Sequence, residues 1–327
     1  MTDINLTMRD IYSARARIAP IARKTPLVFS PDLSELTGSE IALKLECLQE
    51  TGSFKPRGAA NKLLSLDPRA RQRGVIAVSS GNHGRALAYV ARRLGLRAVV
   101  CLSDTVPANK RDATRKLGAE VVVKGSTYDE AVEEAYRLVE KEGLEMIHPY
   151  DDPVVIAGQG TIGLELLEEF PGLDTVVVPL SGGGLLGGIA FALKSADPKI
   201  HVVGVMMERG PAMVESLRAG RLVDIVEEPT LADALAGGII PNKYTFELIQ
   251  KTVDETVLVS EQEIAAAMAF ALDRHHLVVE GGGAVGIAAL RAGKIQHLGK
   301  HVAVVVSGAN VDMPLLLRIT QDHLDGR

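Results

Sequence analysis

The sequence is poor in cysteine: Cys47 and Cys101 stand far apart among 327 residues and are its only two. They form no CxxC pair, so neither a disulfide framework nor a zinc site is expected, and buried thiols in a reducing cytoplasm suit them better. No apolar run approaches the roughly 20 residues that a bilayer span needs. The start, Met1 to Tyr12, is polar and mixed in charge, unlike a secretory signal. Positive charge is not in excess either: 36 Lys and Arg against 41 Asp and Glu leave a formal net charge of -5. Nothing therefore supplies a basic phosphate-binding face, which argues against nucleic acid as a partner. There is no low-complexity tract and no internal repeat. What remains is a cytoplasmic globular protein long enough for one large or two medium α/β domains.

Short apolar runs alternate with longer helical patterns. Ile41 to Leu45, Val75 to Ser79, Ala98 to Leu102, Glu120 to Val123, Thr175 to Pro179, Val202 to Met206 and Val302 to Ser307 read as strands. Several are continuous and Val-rich, as in a sheet covered on both faces. Helical stretches lie between them: Gly84 to Leu94, Asn109 to Leu117, Tyr128 to Glu142, Leu185 to Ala196 and Glu261 to His275. This rhythm predicts an α/β protein with doubly wound, open parallel sheets. Residues 74–151 form a compact strand–helix series, read as a small domain inserted into a large one made of 1–73 and 152–327. The cleft between the two would hold the chemistry.

Four segments carry candidate chemistry. Lys55 lies between a turn, Thr51-Gly52-Ser53, and a helical run from Gly58; a lysine there can project its amine into a cleft and form a Schiff base, although a solvated lysine at a helix start would look the same. Ser79-Ser80-Gly81-Asn82-His83-Gly84 follows a strand and opens a helix, where backbone N–H groups and the helix dipole favour an anion. Plain N-capping accounts for a serine or asparagine there but not for the whole run. Ser181-Gly182-Gly183-Gly184-Leu185 also sits between strand and helix, stripped of side chains as a phosphate cradle requires. Gly182, Gly184 and Gly187 satisfy G-x-G-x-x-G as well, so a nicotinamide-dinucleotide dehydrogenase is an alternative. The acid expected at the end of the next strand is missing, because that strand ends Val205-Met206-Met207 with Glu208 late. Lastly, Ser307-Gly308-Ala309-Asn310 leaves a strand near the C-terminus, where open sheets bind ligands.

Taken with Ala157-Gly158-Gln159-Gly160-Thr161, these segments resemble, in order and spacing over nearly the whole chain, the motifs of the threonine/serine dehydratase and serine racemase family. Its members are pyridoxal-phosphate (PLP) enzymes of fold type II, with the cofactor between two α/β domains. Met206 to Gly210 and Leu231 to Gly238 look most like the branch of hydroxyectoine-utilization dehydratases. Little sequence follows Ser307, so the C-terminal regulatory domain of feedback-controlled threonine dehydratases is not expected here.

The resemblance implies roles. Lys55 would be the Schiff-base lysine and the base for the Cα proton, with Phe54 beside the cofactor ring. Asn82 would bind the ring's 3′ oxygen, Ser181, Gly182, Gly183, Gly184 and Leu185 the phosphate, and Ser307 the pyridine nitrogen. Ser79, Ser80, Gly81, Asn82 and His83 would grip the substrate, with Ser80 matching the opposite-face base of the racemases. The activity implied is loss of water and ammonia from a small β-hydroxy amino acid, giving a 2-oxo acid, in a homodimer. A serine or aspartate racemase and a catalytically silent binding protein are the alternatives. Two departures stand out. Met206 occupies the place of a cation-binding glutamate in many relatives, and a thioether is a poor ligand for Mg²⁺ or Ca²⁺, so no metal site is expected. Glu280 precedes glycine where relatives have proline, and Ala234 replaces a common glycine, so both bear on the substrate pocket.

Overall fold

In the computed structural model, residues 4–226, 228–237 and 244–326 are described; Gly238 of the segment cited above lies outside them. Among the described residues, ten strands form two sheets: β1 (Leu27–Phe29), β2 (Glu40–Lys44), β3 (Val75–Val78), β4 (Ala98–Leu102), β5 (Glu120–Val123), β6 (Glu145–Met146), β7 (Thr175–Pro179), β8 (His201–Met207), β9 (Glu255–Val259) and β10 (His301–Val305). The larger sheet has the order β1-β2-β10-β7-β8-β9, and the smaller has β5-β4-β3-β6. Every pairing is parallel except that of β1 with β2. Val-rich strands such as β7 are buried on both faces because helices cover both sides.

The expected strands and helices are present, with ends shifted by one or two residues. The strand expected to run to Ser307 ends at Val305, which leaves Ser307 in the turn beyond the sheet. The helix expected from Gly84 begins at Asn82 instead, so Asn82 and His83 belong to its first turn. Start and stop chemistry explains several boundaries. Thr127 and Glu130 form a reciprocal capping box before Tyr128–Glu142, and Gly143 at φ 68 ends that helix. Ser260 and Glu263 do the same for Glu261–His275.

All four strands of the smaller sheet lie between residues 75 and 146. The core beneath it also draws Ile18, Ala59, Ala60 and Leu63 from the chain before residue 74, packed with Val75, Leu87 and Val100. The helix Pro56–Ser65 thus supports the smaller sheet while its first residue follows Lys55, at the border of the larger one.

Candidate active site

Lys55 stands where the two sheets meet. Pro56 sets the first helical turn, a position where its missing N–H costs nothing. The preceding residues are pinned along the exit of β10: Cys47 N donates to Val306 O, Phe54 N donates to Ser307 O at 3.0 Å, and Ser53 pairs with Gly308 in an isolated bridge. The residue is half-buried, with its amine end enclosed. Nζ donates to Pro149 O at 2.8 Å and lies 5.1 Å from the centroid of the Phe54 ring. Burial lowers the amine to about 8, partly opposed by the charge of Glu280. A lysine in this state supplies a free amine near neutrality.

Beside Pro149, Tyr150 lies on the glycine loop after β7. A methyl on Gly182 would meet three Tyr150 ring carbons at 2.5 to 2.6 Å, and one on Gly184 would meet Tyr150 O at 2.7 Å. Gly183 takes φ 91, a left-handed conformation open to glycine. The loop leads into the helix Gly184–Ala196, whose first N–H groups are aimed back at it. Ser181 is half-buried, and Leu185 is buried in the core of the larger sheet. Gly187 faces Leu248, so the last glycine of the G-x-G-x-x-G pattern serves packing. Glu208, the late acid, is held by Lys294 at 3.2 Å.

A third cluster joins Asn82, Glu280 and Asn310. Asn82 Nδ2 donates to Glu280 Oε1 at 2.7 Å, and Asn310 Nδ2 donates to Asn82 Oδ1 at 2.6 Å and to Thr51 O at 2.8 Å. Asn310 N donates to Glu280 Oε2 at 3.0 Å. Glu280 is 3 % exposed. Burial raises it to about 7, although the Asn82 bond opposes the rise. Ser307 Oγ, also buried, donates to Gly282 O at 3.4 Å.

His83 sits apart from the rim. It is buried, its Nε2 pairs with Ile147 O at 2.8 Å, and burial together with the Lys55 charge lowers it to about 3. It is a neutral ring that ties the first turn of its helix to the segment after β6. Ser79 and Ser80 are half-buried and Gly81 is exposed, with Gly81 N donating to Ser79 Oγ at 3.3 Å.

The model of a family described as pyridoxal-phosphate dependent enzymes matches residues 18–308. The chain belongs to that family. A Sinorhizobium fredii protein, provisionally named a threonine dehydratase, is 51% identical over 95% of this chain and 94% of its own length. An L-threonine ammonia-lyase of Thermotoga maritima is 47% identical over 98% of this chain and 79% of its own. Maize serine racemase superposes with a TM-score of 0.91 at 32% identity, covering 98% of each chain. The fold is therefore that of fold type II PLP enzymes.

The side chains suit that cofactor. Tyr150 packs so closely on Gly182 and Gly184 that no side chain fits there, so the loop runs as bare backbone into a helix N-terminus suited to a phosphate. Thr51 Oγ1 and Ser53 Oγ, flanking Lys55, are buried without a hydrogen-bond partner among the described residues. Met206 is buried, and among the described residues no group of three or more His, Cys, Asp or Glu is placed to hold a metal ion. Pro149 and Tyr150, at the end of the segment 74–151, and Asn310, the last residue of the Ser307 motif, make site contacts that the sequence alone does not assign. Their signal was a Pro-aromatic pair ahead of a helix and an amide after a buried strand.

Proposed function

We propose that this chain is a PLP-dependent ammonia-lyase that removes water and ammonia from a small β-hydroxy amino acid, L-threonine or L-serine in the first instance. The observation that carries this reading is the enclosed Lys55 amine, lowered to about 8, facing a glycine cradle across Tyr150. The names of the L-threonine ammonia-lyase and threonine dehydratase relatives support it. Lys55 would anchor the cofactor, and its free amine would take the Cα proton. Ser181 to Leu185 would hold the phosphate, Asn82 the 3′ oxygen and Ser307 the pyridine nitrogen, with Phe54 beside the ring. When bound, pyridoxal phosphate supplies the electron sink that makes the Cα proton removable. Ser79, Ser80 and Gly81, at the N-terminus of Asn82–Leu94, would hold the substrate carboxylate, and His83 would fix that turn from behind. We take residues 1–73 and 152–327 as the cofactor-holding unit and 74–151 as the small one, in a cytoplasmic homodimer. No described helix is long and apolar enough to cross a membrane.

Lys55→Ala is expected to abolish the visible absorbance of the bound cofactor and to lower kcat by about 10³-fold or more, the scale of losing a positioned base and nucleophile. A variant that keeps both would overturn the assignment. A panel of β-hydroxy amino acids, extended to 3-hydroxyaspartate and to diamino acids derived from hydroxyectoine, scored for ammonia, ranks the substrates. The likeness to maize serine racemase favours a second reading, racemisation with Ser80 as the opposite-face base. Comparing 2-oxo acid with D-enantiomer from L-serine separates the two.

A further inference from the structure

Glu280 is a buried acid for which the roles above have no use, and its surroundings are specific. It is the N-cap residue of the helix Gly281–Arg291, yet its side chain does not cap that helix. Its N–H donates to Gly308 O at 3.1 Å, and its carboxylate folds back onto the same Gly308, where any side chain would collide with it. Gly308 is bridged to Ser53, two residues before Lys55. Both carboxylate oxygens accept N–H bonds, one from Asn82 and one from Asn310, and Asn310 in turn holds Thr51. Three separate segments around Lys55 therefore converge on one carboxylate. Two accepted N–H bonds favour the charged form, while burial opposes it.

We propose that Glu280 is the counter-charge of Lys55, a positioning residue that sets the basicity of the lysine and is held in place by Asn82 and Asn310. The inference rests on the assignment of Lys55 as cofactor anchor. The charged groups facing Glu280 are Lys55, Asp233 of the turn Asp233–Leu235, and Arg85 of the helix Asn82–Leu94. The thiol of Cys47 also feels its charge. The groups facing Lys55 are Glu280 and the two imidazoles His83 and His148, both of which burial keeps neutral. Glu280 is thus the one acid acting on the lysine among the described residues. When Lys55 receives the Cα proton it becomes an ammonium in an enclosed site, and an ionised Glu280 balances that charge.

The test is a pH titration of the visible absorbance of the holoenzyme, read beside the acid limb of kcat/KM. Glu280→Gln removes the charge while keeping the shape, and should move the spectroscopic midpoint down by about one pH unit, the scale of a nearby opposite charge. Glu280→Asp keeps the charge and should restore most of the shift. A purely structural role predicts the reverse ranking, because Gln preserves the packing better than Asp. An unmoved midpoint in Glu280→Gln overturns the proposal. Should that variant not retain cofactor, Arg85→Gln serves: removing a charge that favours Glu280 ionisation leaves more of the acid protonated and should move the midpoint down, and an upward or null shift overturns the proposal equally. Loss of the visible band in the wild type, or its survival in Lys55→Ala, would instead sink the Lys55 assignment.

Discussion

His83 shows how one buried ring ties the site to the pH range in which the fold survives. Its folded pKa of about 3 lies below the ordinary 6.5, so the native state binds no proton there while the unfolded chain does. That stabilisation is fully present above pH 6.5 and is lost as pH falls toward 3. Relative to His83→Gln, wild-type stability should therefore shrink by about 2 kcal/mol between roughly pH 6.5 and 5, at about 1.4 kcal/mol per pH unit. Urea unfolding of the two proteins at both pH values checks this, and a gap that does not change with pH contradicts a neutral, buried ring. Lys55, Asn82 and Ser307 could be singled out as candidates because strand–turn–helix junctions expose few positions to a cleft. That His83 faces inward was not legible, since an Asn-His pair in a first turn has no period from which to read direction. Glu280 was visible as an acid before three glycines, but its partners Asn82 and Asn310 lie 198 and 30 residues away and only the fold joins them.

At the scale of elements, the glycine loop and the Tyr150 segment work as a pair. The obstacle to a side chain at Gly184 is the Tyr150 backbone, whereas at Gly182 it is a ring that can swing. Gly184→Ala should thus weaken cofactor retention by roughly 10- to 100-fold, the effect of about 1–3 kcal/mol of overpacking. Gly182→Ala should weaken it less. Equilibrium dialysis read by visible absorbance tests the ranking, and equal losses would mean that Tyr150 is not what limits the loop. Legibility divides the same way. Thr175–Pro179, Tyr128–Glu142 and Glu261–His275 were readable to the residue because apolar runs and capping boxes mark them. The central helix Pro153–Glu169 was not: it is apolar almost all round, and three glycines within it lower helix propensity. Those glycines allow close packing, Gly158 on the backbone of Arg57 and Gly58 and Gly163 on Ala192. The short edge strands β1 and β6, of 3 and 2 residues, leave too little pattern to find.

At the scale of the whole molecule, an ion pair links the helices of the smaller sheet to the turn at Asp233. Lys110, on the helix Ala108–Lys116 beside the smaller sheet, reaches Asp233 at 3.5 Å, next to the turn that covers Gly281 and Gly282. Both groups are partly exposed, so the pair contributes at most about 1 kcal/mol. Lys110→Asp alone should raise KM by up to about fivefold at low salt, Asp233→Lys should do likewise, and the double exchange should recover most of the loss. The effect should fade at about 0.5 M salt as screening shortens the reach of the charges. Steady-state kinetics of the three variants decides it: additive losses in the double exchange would show that the two charges do not meet in solution.

Beneath Lys55 lies a different set of charges. Arg57, fully enclosed, forks onto Glu46 and Glu165, and Lys44 reaches Glu165 and Glu169. Burial alone would push Glu46 up, but Arg57 outweighs it and holds the carboxyl below its ordinary range. Removing one partner of such a pair typically costs about 3–5 kcal/mol. The two halves of this network are 108 residues apart along the chain. At a synthesis rate of about 5–20 residues per second, Arg57 and Lys44 leave the ribosome on the order of 5–20 s before Glu165. Through that interval the floor of the site has two cations and one carboxylate, so its charges balance only once the central helix has been made.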